Sequence, residues 1–134
     1  GEVSFRCKSG DVRQLLLSAA EHSKSRQLVG YCPQFGGLFP TMTVKEHIFF
    51  YSNLHSILKG GSLKKHAAKE YQSLLKTSRH SDELAKNMSE GNRRKLSVVI
   101  ALSGCPPLVL LDEPSSGVDP ESKLSLWRAI KKAS

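Results

Sequence analysis

Leu108-Val109-Leu110-Leu111-Asp112-Glu113-Pro114 is the stretch on which the fold turns. Four apolar residues in an unbroken run fit a parallel strand covered on both faces, because a half-exposed strand would alternate apolar with polar. The two acids that follow then stand at the carboxyl end of the strand, the edge at which open α/β sheets bind ligands. An aspartate placed there can hold a magnesium ion through its water shell, and a neighbouring glutamate can orient or deprotonate water that attacks a phosphate. A strand that merely ends in solvated acids fits the same heptad.

Downstream, Ser115-Ser116-Gly117-Val118 reads as a turn, with Asp119 and Pro120 as the cap and first position of a helix. That helix has Leu124, Trp127 and Ile130 as apolar positions and closes on Lys131 and Lys132, which suit its negative end. Upstream, Cys105-Pro106-Pro107 stops a helix that starts near Gly91 and carries Leu96, Val99 and Ile100. Met88-Ser89-Glu90-Gly91-Asn92 sets a serine and a glycine at that helix's N-terminus, where amides and the dipole favour an anion. A plain capped helix with a basic surface fits these residues equally.

Nearer the start, Thr43-Val44-Lys45-Glu46 has the form of a capping box, opening a helix to about Leu58. Val44, Ile48, Tyr51, Leu54 and Leu58 recur along it at helical spacing. Ser62 suits the cap of a second helix bearing Leu63, Ala67, Tyr71 and Leu74, and a short third helical piece is expected from Ser81. Gln27 to Cys32 reads as a buried strand stopped by Pro33. Val3, Phe5 and Cys7 alternate with polar residues, which predicts a half-buried strand before a turn at Ser9-Gly10-Asp11. Val12 to Ala20 fits a helix, but its pattern does not decide.

The chain has 134 residues, one domain's length, and its 39% hydrophobic content suffices for a core. Lysine and arginine outnumber acids 20 to 12, which suits phosphates, nucleic acid or an anionic membrane surface but equally a solvated basic face. Cys7, Cys32 and Cys105 are far apart and form no CxxC pair, so neither a disulfide framework nor a zinc site is indicated and a reducing compartment fits best. The longest apolar runs fall far short of the roughly 20 residues that span a bilayer. Any membrane-spanning part is therefore expected outside this chain.

Taken in order, these segments resemble the ABC transporter family, and the resemblance runs over the whole chain. Met88 to Asn92 is similar to the LSGGQ signature, Leu108 to Pro114 to the Walker B strand, and Ser115 to Asp119 to the D-loop. Tyr31-Cys32-Pro33-Gln34-Phe35 resembles the Q-loop, while Gly1-Glu2-Val3 and Ser9-Gly10-Asp11-Val12 resemble the antiparallel strands that follow the family's phosphate loop. The wording around Tyr31 to Phe35, Lys45-Glu46-His47, Arg94 to Ser97 and Leu111 to Gly117 is similar to the A subfamily, whose large members are associated with lipid movement.

The resemblance implies an α/β fold: a partial P-loop NTPase (RecA-like) core with parallel strands plus an inserted all-helical subdomain. Residues 1–35 would be the end of the core up to the Q-loop, 36–88 the helical subdomain, and 89–134 the signature, Walker B, D-loop and following helix. The implied cofactors are ATP and Mg2+. By the same resemblance Glu113 is the catalytic carboxylate, Asp112 serves the metal together with Gln34, and Gln34 is also the coupling sensor. Ser89 and Gly91 would contact the phosphate of a partner domain's ATP, and Asp119 is the partner-facing acid of the D-loop. The implied partners are a second nucleotide-binding domain, docked head to tail, and transmembrane domains reached through the surface from Phe35 to Lys45. No nucleic-acid partner is expected, and the implied location is the cytosolic face of an integral membrane transporter.

The chain departs from the family pattern in three ways. No GxxxxGK[ST] occurs, so the Walker A loop is expected just before Gly1, and this segment alone is expected to be inactive. The switch histidine is expected after Ser134, leaving His22, His47, His55, His66 and His80 as surface or capping groups. Glu90 replaces the first glycine of the signature pair and brings a carboxylate near an anion site, which predicts a working but slowed composite site. A soluble ABC-type ATPase acting on nucleic acid or the ribosome, a non-hydrolysing regulatory half, and an inactive gene fragment are the rival readings.

Overall fold

The structure, a computed structural model, describes residues 3–7, 29–58, 69, 72–73, 76–106 and 108–133. The turn at 9–11, the stretch 12–20 and nearly all of the Ser62-capped helix lie outside them.

The apolar run forms the central strand of the sheet. Strand β1 (Val3–Cys7) and strand β2 (Val29–Cys32) flank β3 (Leu108–Asp112) in the order β1-β3-β2. β1 pairs with β3 antiparallel, Val3 opposite Asp112, and β2 pairs with it parallel, Cys32 opposite Leu111. Leu108, Val109 and Leu111 are buried, as a strand covered on both faces requires. β2 differs from its expected full burial. Gly30 and Cys32 face inward, but Tyr31 is 58% exposed, because strand residues alternate sides and only one face of β2 meets the helix beside it.

Helix α1 (Val44–Leu58) starts at the capping box. The Thr43 amide and hydroxyl both donate to the Glu46 carboxylate, at 2.7 and 2.8 Å, and the Glu46 amide donates back to the Thr43 hydroxyl. The backbone N–H of Thr43, then its hydroxyl, hold the Glu46 carboxyl below the ordinary value of 4.5. A carboxyl lowered in the fold adds stability that is complete above its unfolded value and lost as pH falls through the folded one. Acid titration of the folded protein below pH 4.5 is therefore expected to show a shallower loss of stability in Glu46→Gln than in the unaltered chain.

Val44 and His47 form the wholly buried inner face of α1, with Ile48 and Tyr51 half-buried beside them. Leu54, expected on this face, is 39% exposed and marks the limit of its packing. His47 also corrects the sequence reading, which placed all five histidines at the surface or in caps. It occupies the apolar stripe between Val44 and Ile48 because both ring nitrogens find partners there.

No helix begins at Ser81. Two short 3-10 turns, Thr77–His80 and Ala85–Asn87, occupy this stretch. Backbone groups that a helix would use internally bond instead to the segment leading into α1: Val44 N–H to Glu83 O, Lys45 N–H to Ser81 O, Ala85 N–H to Met42 O and Lys86 N–H to Pro40 O.

Helix α2 (Glu90–Ser103) is capped by the Ser89 hydroxyl, which accepts the Asn92 amide at 3.2 Å. Leu96 packs with Val44, Ala85 and Met88, while Val98, Val99 and Leu102 pack with Cys32, Val109 and Leu111. α2 thus separates α1 from the sheet. Helix α3 (Pro120–Lys132) opens on Asp119, whose carboxylate accepts the Ser122 amide at 2.9 Å. Its inner face is Leu126, Ala129 and Ile130, with Trp127 half-buried. Leu124, expected inside, is 62% exposed because it lies two residues from the fully buried Leu126 and so on the other side of the helix. No described helix is long and apolar enough to cross a membrane.

Candidate functional site

Because β2 and β3 are parallel and in register, the segments that leave their carboxyl ends emerge side by side. Pro33, with no amide to extend the ladder, ends β2 and releases Gln34, while β3 delivers Asp112 and Glu113. The Gln34 Nε2 group donates to Glu113 Oε2 at 3.0 Å, joining residues 79 positions apart. Glu113 has φ +46°, a left-handed conformation that costs a residue with a side chain about 1 kcal/mol or more. The turn after it, with Ser116 N–H to Glu113 O and Val118 N–H to Ser115 O, maintains that conformation. Strand, kink and turn together hold both acids at the sheet edge.

Arg94 completes this arrangement, a place that no sequence motif assigns to it. It is 8% exposed, and its Nη1 and Nη2 donate to the carbonyls of Pro33 and Gln34, the latter at 2.6 Å. Its signal was a charged residue on the same helical stripe as Val98, Ala101 and Leu102, where burial demands partners. The guanidinium also opposes burial at Cys32. Desolvation pushes the Cys32 thiol up, and Arg94 pulls it back. Replacing Arg94 by Met keeps the stem, removes the guanidinium donor from the Gln34 carbonyl and leaves the Pro33 carbonyl with only the weak Cys32 Sγ donor, 4.0 Å away. We expect a stability loss of about 2 kcal/mol in denaturant unfolding, not restored by Lys, which lacks the planar fork.

The signature residues lie against the turn after β3. A Cβ at Gly91 would meet the Gly117 carbonyl at 2.8 Å, so only glycine lets the first turn of α2 approach this backbone. Gly117 has φ +67°, and the Glu90 side chain lies 3.2 Å from where its Cβ would be. Glu90 therefore remains exposed but runs along Gly117 of its own chain. Ser89 is exposed at the N-terminus of α2. Asp119 stands at the other end of the turn. The Ser122 hydroxyl, then its amide, hold the Asp119 carboxyl below its usual range, and Lys95, itself bonded to Ser122 Oγ at 3.2 Å, adds to this. The structure thus joins Gln34 to Glu113 beside Asp112, and Gly91 to the turn between Glu113 and Asp119.

The sequence profile of the ABC transporter family matches residues 2–116. This chain belongs to the ABC transporter family. Among curated relatives, the chain is 44% identical over 136 residues to the mouse retinal-specific phospholipid-transporting ATPase ABCA4, covering 96% of this chain and 6% of that protein. It is 40% identical to the mouse glucosylceramide transporter ABCA12, over 97% of this chain and 5% of that protein. The mouse ABC-type organic anion transporter ABCA8B is 37% identical, with 96% and 8% covered. These ABC transporters are A-subfamily proteins, and the chain spans a small fraction of their length.

Solved ABC transporter structures share the fold. An ATP-binding subunit of an ABC transporter superposes with TM-score 0.69 at 22% identity, over 85% of this chain and 47% of that one. A dimeric bacterial ABC transporter cassette does so with TM-score 0.67 at 23% identity, over 82% and 49%. The α/β architecture expected from the ABC transporter resemblance is therefore the one found.

Proposed function

We propose that this chain is the Q-loop, signature and Walker B part of a nucleotide-binding domain that hydrolyses ATP to move lipids across a membrane. The observation that carries this reading is the Gln34 to Glu113 hydrogen bond, 3.0 Å long, at the carboxyl edge of the sheet beside Asp112. A side-chain amide and two acids at one sheet edge suit phosphoryl chemistry, which relies on positioning and charge rather than on a protein nucleophile.

The donor set fits Mg2+, which prefers oxygen ligands and commonly takes one or two carboxylates, with phosphate and water completing its shell. Asp112 supplies a carboxylate, and Gln34 an amide oxygen. When bound with ATP, the ion neutralises phosphate charge and fixes the reacting groups.

Glu113 is the general base, its left-handed backbone aiming the carboxylate off the strand. Gln34 orients that carboxylate and reports its state to the segment from Phe35 to Lys45, the docking face for transmembrane domains. Ser89 and Gly91 offer the N-terminus of α2 to the phosphate of a second domain's ATP, and Asp119 is the D-loop acid that faces that domain. Residues 36–88 are the helical subdomain in this reading. Glu90 beside Gly117 adds negative charge near the anion and slows the shared site without closing it. This segment by itself is inactive, and the complete protein works at the cytosolic face of a membrane.

Two of the relatives carry the names of lipid transporters, which supports the choice of lipid, while the third is named for organic anions. The test is the complete transporter in proteoliposomes containing a labelled phospholipid. ATP-dependent movement of the label between leaflets is expected. ATP hydrolysis without movement of phospholipid or glucosylceramide, but with uptake of an organic anion, would remove the lipid assignment.

A further inference from the structure

The segment between the Gln34 site and α1 is held at several points, and one of its anchors has a polarity that can be assigned without ambiguity. The Phe39 N–H donates to His47 Nε2 at 2.9 Å, so Nε2 carries no proton. His47 Nδ1 lies 2.8 Å from the Thr43 carbonyl, which can only accept, so Nδ1 carries the proton. The ring is fully buried and stacks on the Phe39 ring, with centroids 6.0 Å apart. A wholly buried imidazole with both nitrogens engaged is a fixed peg projecting from the first turns of α1.

The rest of the segment is equally constrained. Arg94 holds the carbonyls of Pro33 and Gln34 at its start, and the Tyr51 hydroxyl donates to the Gly37 carbonyl at 3.3 Å. Gly36 and Gly37 have φ of +77° and +83°, conformations that a side chain would strain. Phe35 and Phe39, 77% and 46% exposed, project from the two sides of this glycine pair. Arg94 on α2 and His47 on α1 therefore fix the two ends of a six-residue span, Gln34 to Phe39, whose first residue touches Glu113.

We propose that His47 is a positioning residue for coupling: its Nε2 anchors the Phe39 backbone to α1, so that a shift of Gln34 moves the exposed aromatic face instead of being absorbed in a loose loop. This rests on the ATPase and transport reading above. Loss of the acceptor frees Phe39 while leaving Gln34, Asp112 and Glu113 in place. ATP hydrolysis then continues, and transport per ATP falls.

The test compares His47→Gln with His47→Asn in the complete transporter. The longer Gln side chain can place its amide oxygen where Nε2 stands, whereas Asn reaches only the Nδ1 position and cannot meet Phe39. Gln is expected to keep transport per ATP close to the unaltered protein, and Asn to lower it by about fivefold while ATP hydrolysis persists. A chymotrypsin digest reads the anchor without transport, with faster cleavage after Phe35 and Phe39 expected in Asn but not in Gln. Should Asn fail to accumulate, Gln alone decides, since an uncoupled Gln variant overturns the proposal. Full coupling in Asn, or equal loss of hydrolysis and transport in both variants, also overturns it. No transport by the unaltered protein, with the cleavage pattern as expected, overturns the transport reading and leaves the anchor standing.

Discussion

Glu113→Gln in the complete transporter is expected to lower ATP turnover by about 100-fold or more, the usual contribution of a positioned general base. ATP affinity is expected to change little, because the carboxylate acts on water and the substitution keeps the shape of the side chain. The same geometry explains the size of the effect. Glu113 is held in a left-handed backbone at the end of β3, and its Oε2 accepts from Gln34 at 3.0 Å. An amide at this position still meets Gln34 but has no basic oxygen for a proton. Single-turnover hydrolysis and equilibrium binding of labelled ATP separate the two effects. Turnover retained within a few-fold would take Glu113 out of the catalytic role.

Gly30→Ala is expected to be the most damaging single change to the fold. A Cβ at Gly30 would lie 2.1 Å from the backbone oxygen of Ala101 and 2.8 Å from Pro106 Cγ. Real Cβ atoms do not approach backbone oxygen so closely, so β2 and α2 must separate. The displaced contact lies among Cys32, Val98 and Leu102, all buried, and a separation there opens space that nothing else fills. A loss of about 3 kcal/mol in denaturant unfolding is expected. Because β2 leads directly into Gln34 and α2 carries Arg94, the variant should also weaken the Gln34 to Glu113 contact, and residual turnover should fall with stability.

The parts of this fold that were legible in sequence are those in which local chemistry and burial agree. The Leu108 to Leu111 run, the Thr43 to Glu46 capping box and the Asp119-Pro120 helix start each specify their structure within a few residues, and each is found as expected. The 3-10 turns around Ser81 were illegible because their backbone is satisfied by the distant segment 40–45, a partnership that leaves no local pattern. Leu124 misled for a related reason. Its spacing with Trp127 fits a helix face, but Leu126, Ala129 and Ile130 meet the core.

The site shows the same division. Gln34, Asp112 and Glu113 are singled out by the motifs around them, and the structure sets them at one sheet edge, whereas no motif gives Arg94 and His47 their places. Each is a polar residue on an apolar helical stripe whose partners are backbone groups of one loop, Pro33 and Gln34 for Arg94, Phe39 for His47. A single sequence shows the side chain but not the carbonyl or amide that waits for it. The contact of Gly91 with Gly117 was likewise hidden, since close approach of two backbones leaves only a glycine as its trace.

In the proposed function this chain supplies the acids, glutamine and signature of a working ATPase. Its most direct test is Mg2+-dependent ATP hydrolysis by the complete nucleotide-binding region, this chain joined to its native flanking sequence, measured over a range of protein concentrations. Saturable hydrolysis that requires Mg2+ and rises faster than linearly with protein concentration is expected, because each site in the proposed arrangement takes Ser89 and Gly91 from a second domain. Tight ATP binding with no hydrolysis at any concentration would contradict it.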